Sequence, residues 1–445
     1  MNAGIKKVIV FFNFGCLLFY SALAQQTLKF DFGNGKTANG YTQVLPTAMY
    51  SDAAGFGFET GAQVAAVKRK GSDALRSDFV TGNKPFLFSV KLPEGNYNVR
   101  LLLGDTKGTS ATTVRAECRR AVLPRITTIK GEIAEVSFTV HVHDSLIAGA
   151  NRNVRIKQRE VNYWHWDNKL TLEFNDSIPK LCALEIEPAQ EVVTVFLAGN
   201  STVVDQAEEP YAAWGQMLPL FFEPGKVAVA NYAESGESLS SFMSARRLEK
   251  VLSFMKPGDY LFIEFAHNDQ KQKGEGIGPW TSYSRDLTYF ISECRKKGGN
   301  PVLVTSMHRR NFDSTGKVVN TLGDYPAAMR KVAEAEKVPQ IDLNNMSALL
   351  YEAWGRKDSE KGFVIYPANT FAGQDKALLD NTHFNPYGAM QMAKCVVQGM
   401  QDVQLPLAKL LKRNVQPFSP SKPDNVLEVY WPLSPTLAKA KPDGN

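Results

Sequence analysis

A chain of 445 residues is too long for one ordinary domain, and two or three are expected. Its hydrophobic content of 44% and charged content of 22% are globular values, which exclude disorder as the organising theme. The formal charge of +6 is mild and dispersed, so it gives no argument for a nucleic-acid partner, although it would suit an acidic polysaccharide.

Residues 1–24 read as an export signal. Lys6 and Lys7 form a positive start, residues 8–20 an apolar run, and Ala22-Leu23-Ala24 a small-residue cleavage site. Asn13-Phe14-Gly15 makes a poor lipobox before Cys16, which favours ordinary cleavage before Gln25. Cleavage removes two Lys and no acid, taking the charge from +6 to +4. No later stretch reaches the roughly 18 apolar residues of a membrane span. The mature chain is therefore expected to be soluble and periplasmic or extracellular. It keeps Cys118, Cys182, Cys294 and Cys395, whose wide spacing argues against a disulfide framework or zinc site and leaves a single incidental disulfide open.

Residues 25–190 show short alternating segments broken by Gly, Asn and Pro. Those at 28–32, 86–90, 97–102, 169–174 and 181–186 predict strands of an all-β sandwich. Glu187-Pro188-Ala189-Gln190 is the linker. Over 191–415 the pattern changes to strands alternating with helices. Strands are expected at 193–198, 227–230, 260–265, 301–306 and 339–343. Helices are expected at 212–222, 239–255, 283–297, 326–338, 346–355 and 386–403. Such alternation predicts an α/β/α domain with a five-stranded parallel sheet covered on both faces. Residues 416–445, rich in Pro, Ser and Lys, read as a C-terminal extension.

Three scattered fragments carry the chemistry: Gly199-Asn200-Ser201-Thr202, Ala266-His267-Asn268-Asp269 and Asp380-Asn381-Thr382-His383. A Ser after a strand is ordinarily a turn residue or helix cap. Followed downstream by Asn and by Asp-x-x-His, Ser201 becomes the candidate nucleophile. His383 would be its base and Asp380 the carboxylate that orients the base. Ser201, Gly236 and Asn268 all follow predicted strand ends, where parallel sheets place their sites. Of the other histidines, His141 and His143 share a strand face without a third ligand and make a poor metal site. The residues read as a serine esterase.

These fragments resemble the SGNH or GDSL hydrolase superfamily. The run from Val195 to Thr202, with Trp214-Gly215, Asn231-Tyr232-Ala233, residues 308–313 and Thr382-His383-Phe384, looks most like the rhamnogalacturonan acetylesterases. The resemblance covers roughly residues 193–403. It implies an acyl-enzyme mechanism on acetylated polysaccharide or oligosaccharide, with no metal or organic cofactor. It also implies an oxyanion hole from the Ser201 N–H, the Gly236 N–H and the Asn268 side chain, and a supporting role for His267.

The chain departs from that pattern at Asn200 for Asp, Ala266 for Gly, and Glu237 where pectin-type enzymes often carry Arg. Arg246, Arg309 or Arg310 would then supply the missing cation, with Arg309 and Arg310 the candidate substrate-binding residues. The β-rich half resembles the galactose-binding-like sandwiches appended to such esterases. Its Tyr163-Trp164-His165-Trp166 cluster suits either sugar stacking or packing at the domain interface. Acetylated xylan or another acylated glycan is the alternative substrate, and a glycan-binding protein with an inactive esterase fold is the alternative class. A peptidase is disfavoured because the chain has no Gly-x-Ser-x-Gly elbow.

Overall fold

The computed structural model describes residues 27–438 and 441–443, so the expected export signal lies outside the described residues. The alternating segments of the first half form two facing, mainly antiparallel sheets, because period-two patterning turns one face of each strand into a common core. One sheet is built around Gly95–Gly104, paired on either side with Ile133–Val142 and Lys180–Pro188. The other is built around Lys169–Ile178, between Phe86–Lys91 and Ser110–Ala116. Between them Phe32, Phe58, Phe88, Leu101, Leu170 and Leu184 are buried, with Phe88 edge-on to Phe32 at 4.9 Å.

The second half contains a five-stranded parallel sheet. Its strands are β1 (Val193–Gly199), β2 (Val227–Asn231), β3 (Tyr260–Glu264), β4 (Asn300–Val304) and β5 (Gln340–Ile341), in spatial order 2-1-3-4-5. They are almost continuously apolar because both faces are covered. Val195 and Leu197 pack with Trp214, Met392 and Val396 on one side. Phe196 and Ala198 pack with Phe242, Leu287 and Phe290 on the other.

In this half the structure differs from the predicted elements in two helices and adds a pair of strands. The helix expected over 212–222 is a short α-helix, Trp214–Met217, running into a 3-10 turn, Leu218–Phe221, that contains Pro219. The helix expected over 239–255 is broken at Arg246, whose φ of 64° is left-handed, giving Leu239–Ser244 and Arg247–Phe254. Asp380 and His383 lie on a strand, Leu378–Phe384, paired antiparallel with Phe363–Tyr366. The helix Pro386–Asp402 follows it, capped by the Asn385 side chain accepting from the Gly388 N–H at 3.1 Å.

The two halves meet through a polar as well as an apolar interface. Arg120 of the sandwich donates to Asp205 Oδ2 (2.7 Å) and Arg119 to the carbonyls of Gln206 and Tyr211 (3.0 and 2.9 Å). His165 and Trp166 are turned into this interface. His143 stacks on Tyr232 at 4.4 Å, with Trp166 edge-on to His143 at 4.6 Å. Within the C-terminal stretch, Trp431 stacks under the Arg115 guanidinium at 3.7 Å and donates to Glu209 at 2.9 Å, touching both halves. Cys118, Cys182, Cys294 and Cys395 are buried and unpaired. Among the described residues, no helix is long and apolar enough to cross a membrane.

Candidate active site

The loops that follow β1, β2 and β3 bring Ser201, Gly236 and Asn268 to one edge of the sheet. Ser201 begins the turn after β1, Gly236 sits in the loop after β2, and Asn268 follows β3. The loops are tied to one another. The Glu234 N–H donates to the Gly199 carbonyl (3.2 Å), and the Asn268 Nδ2 donates to the Glu237 carbonyl (2.9 Å). The Leu239 N–H donates to Asp269 Oδ1 (2.9 Å).

The Leu378–Phe384 strand carries its side chains to the same edge. His383 Nε2 is 2.8 Å from Ser201 Oγ, and His383 Nδ1 is 2.7 Å from Asp380 Oδ2. Asp380 Oδ1 accepts from the N–H groups of Thr382 and His383 at 2.9 and 3.0 Å, which fixes the carboxylate plane. Burial alone would push the Asp380 carboxyl up. The His383 ring and the two backbone donors outweigh it and hold the group at about 2. All three side chains are buried. The edge of the Tyr211 ring packs on His383 at 5.8 Å.

Hydrogen-bond donors without an acceptor are present in the same loops. Among the described residues neither the Ser201 nor the Gly236 N–H has an acceptor. Gly236 has a φ of 82°, a backbone shape that side-chain-bearing residues rarely adopt. The Asn268 amide spends one of its two hydrogens on Glu237 and keeps the other. Asn200, in place of the usual Asp, accepts the Thr202 N–H at 3.1 Å, so the loop keeps its acceptor without the charge.

The two arginines expected at the substrate are differently engaged. Arg309 lies beside the Ala266–Asp269 fragment, directed at the His267 carbonyl (3.4 Å) and Thr321 Oγ1 (3.2 Å). Arg310 is turned to the carboxyl end of the Leu343–Asp358 helix. There it donates to Ser359 Oγ (2.9 Å) and the Arg356 carbonyl and pairs with Glu360 (3.1 Å), while its Nη1 and backbone N–H donate to Asn381 Oδ1 (3.2 Å) and the Asn381 carbonyl (2.8 Å), next to Asp380. Arg246 donates to the Asn153 carbonyl at 3.3 Å. His267 is fully buried and its ring is driven well below the usual imidazole range, first by burial and then by neighbouring cations, which suits support and not proton transfer.

Sequence reasoning missed several residues here. Lys271 Nζ reaches Asn268 Oδ1 at 3.3 Å, and burial with nearby Arg309 and Lys441 lowers its pKa. Glu264, at the end of β3, accepts from Ser306 Oγ (2.7 Å) and Thr202 Oγ1 (2.9 Å) directly under the nucleophile loop. An acid closing an otherwise apolar buried strand was the available signal. Lys157 and Arg159 come from the sandwich and sit on the loop after β2. A cavity of about 730 Å3 opens beside Asp380, between Tyr211, Phe371, Leu379 and the C-terminal Leu437 and Lys441. Glu160, His165 and Glu234 offer ligand atoms within 4.8 Å of one another. Arg247 already pairs with Glu160 and Arg159 with Glu234, so two guanidiniums supply the charge an ion would bring.

A parallel sheet with a hydrogen-bonded Ser–His–Asp line at its carboxyl edge is a framework suited to acyl transfer through a serine. The model of the GDSL-like lipase/acylhydrolase family matches residues 196–390, and the β-agarase/YXIM esterase-like, galactose-binding domain-like model matches residues 28–148. Rhamnogalacturonan acetylesterase RhgT of Bacillus subtilis (strain 168) is 43% identical over 217 residues, covering 48% of this chain and 92% of that protein. The uncharacterized esterase YxiM of the same organism is 27% identical over 409 residues, 90% of this chain and 97% of that protein. Its probable rhamnogalacturonan acetylesterase YesY is 33% identical over 218 residues, 48% of this chain and 95% of that protein. The chain belongs to the GDSL-like lipase/acylhydrolase family, carries an N-terminal galactose-binding-like domain, and is a carboxylic-ester hydrolase.

Proposed function

We propose that this protein is an exported carbohydrate esterase that removes O-acetyl groups from plant cell-wall polysaccharide, in the first place pectic rhamnogalacturonan. The observation that carries the chemistry is the 2.8 Å contact between Ser201 Oγ and His383 Nε2, continued at 2.7 Å to Asp380. The similarity to two rhamnogalacturonan acetylesterases supports the substrate class. The sequence of residues 1–24 supports export, and the mass of the mature chain purified from its host would test cleavage before Gln25.

In this reading Ser201 Oγ attacks the acetyl carbonyl carbon while His383 Nε2 takes its proton. The negative charge that moves onto the carbonyl oxygen is met by the Ser201 and Gly236 N–H groups and the second hydrogen of Asn268 Nδ2. Asp380 stabilises the imidazolium formed at that moment. The C–O bond to the sugar breaks, and the sugar oxygen leaves with the proton from His383. Water, losing a proton to the same nitrogen, then attacks the acetyl-enzyme and releases acetate and free Ser201. Each step uses groups of the chain and water, and none calls for a metal or organic cofactor.

The test is acetate release from acetylated rhamnogalacturonan and acetylated xylan, with wild type beside Ser201→Ala. Release from the pectic polymer that disappears in the variant is the expected result. Release from xylan alone would overturn the substrate, and release unaffected by Ser201→Ala would overturn the mechanism.

A further inference from the structure

The catalytic half does not close its own site. Residues 157–160 of the sandwich reach over the loop that holds Gly236. Lys157 Nζ donates to the Ser235 carbonyl and lies 3.1 Å from Glu237 Oε1. Arg159 donates through Nε to Glu234 Oε1 (3.0 Å), and through Nη2 to the same oxygen and to the Ser235 carbonyl (2.8 Å). A Cβ placed on Gly236 would stand 3.2 Å from Lys157 Nζ. Two cations of the sandwich are therefore fixed around the glycine whose N–H faces the ester oxygen in the mechanism above.

The Arg159 guanidinium has a second edge, and a carboxylate occupies it. Nη1 is 2.5 Å from Oδ2 of Asp443, and the Asp443 Cβ is 2.9 Å from the position of a Gly236 Cβ. The Asp443 side chain is 63% exposed and that of Arg159 28%, so an outlying acid rests on an inlying base. From the same short segment Lys441 Nζ lies 3.4 Å from Asp380 Oδ2. Glu237 is balanced by Lys157 and, at 3.9 Å, by Arg247. Glu234 takes the Nε–Nη2 edge of Arg159, which leaves the Nη1 edge to Asp443. A planar guanidinium with one fork held and the other facing outward is suited to a carboxylate from outside.

We propose that Arg159, backed by Lys157, forms a carboxylate subsite for an acidic sugar of the bound glycan, and that the chain's own Asp443 fills it until substrate displaces it. The inference rests on the esterase reading above and deepens it. The sandwich domain is on this account a wall of the active site and sets its preference for acidic glycans. The tail is a weak internal competitor, since an exposed pair of this kind is readily exchanged.

The experiment compares three acetyl esters: acetylated rhamnogalacturonan, the same polymer with its carboxyl groups reduced to alcohols, and 4-nitrophenyl acetate. In wild type, carboxyl reduction should raise KM about tenfold or more, the loss expected for one charge-assisted contact. In Arg159→Gln the ratio of kcat/KM on the acidic polymer to that on 4-nitrophenyl acetate should fall by a similar factor. Asp443→Asn, and a chain ended after Ala438, should lower KM for the acidic polymer. The carboxyl-reduced polymer tests the wild-type chain, so the result does not depend on whether Arg159→Gln folds. Wild type that cleaves 4-nitrophenyl acetate but treats native and carboxyl-reduced polymer alike overturns the subsite and leaves the esterase reading standing. Wild type inactive on all three overturns both.

Discussion

Arg120→Met tests whether the sandwich holds the nucleophile loop in place. Arg120 and Asp205 are each 1% exposed. Arg120 Nε donates to Asp205 Oδ2 at 2.7 Å, and Nη1 donates to the His141 carbonyl at 3.0 Å. The other Asp205 oxygen accepts from Asn231 Nδ2 at 2.8 Å. Beside Asp205, Gln206 Nε2 donates to the Ser201 carbonyl at 2.8 Å. Methionine fills much of the volume but leaves a buried carboxylate with one partner, which costs about 3–5 kcal/mol. With an unfolding entropy of about 2.1 cal/mol/K per residue, a chain of this length should lose about 3–6 °C in Tm. Calorimetry of both proteins checks this, with kcat on 4-nitrophenyl acetate measured below either melt. The loosened loop should lower kcat more than it changes KM. Adding Asp205→Asn to Arg120→Met removes the orphan charge and should recover part of the Tm. A Tm unchanged within about 1 °C, or no recovery in the double variant, would refute the reasoning.

Asn268→Ala removes one oxyanion donor and should cut kcat by about 10²–10³ with the thermal melt preserved, read by acetate release. For acid stability, Asp380 is held at about 2 against an ordinary 3.8. A depressed carboxyl contributes stability that is present above the unfolded pKa and lost as pH falls through the folded one. Its contribution, about 2 kcal/mol, should therefore vanish between about pH 4 and pH 2. Denaturant midpoints across that window should fall more steeply in wild type than in Asp380→Asn. Deleting residues 25–190 strips partners from the buried Asp205, Glu209 and Glu234, and the remainder should be insoluble or inactive. A soluble remainder with wild-type kcat on 4-nitrophenyl acetate would contradict this.

The parallel sheet was legible because buried strands must be continuously apolar, and the residues from Val195 to Ala198 and from Leu261 to Ile263 are. The Ser–His–Asp line was legible because its chemistry tolerates few residue types, with Ser201 at a predicted strand end and Asp-x-x-His just ahead of a predicted helix. Backbone events were not. Nothing in Ala245-Arg246-Arg247 announces a left-handed residue, so one helix was read where two exist. The strand under Asp380 and His383 was hidden because Asp and Asn are poor strand formers, and its pairing with Phe363–Tyr366 is what sustains it. Arg309 and Arg310 were neighbours in sequence and could not be told apart. In the fold one lies by His267 and the other bridges a helix end and Asn381.

The least legible feature is the role of the sandwich, and the reason is distance along the chain. Arg159 meets Glu234 across 75 residues and Arg120 meets Asp205 across 85, with no local pattern at either end to mark the pairing. RhgT matches over 217 residues, 92% of its own length and 48% of this chain. Here, however, acids of the catalytic half are buried against cations of the sandwich. Once buried that way, neither half can be exposed without uncovering unpaired charge. The departure at Glu237 then has a physical account. The cation that an arginine would bring from inside the catalytic domain stands instead on Lys157 and Arg159, and Glu237 is one of the acids that hold them there.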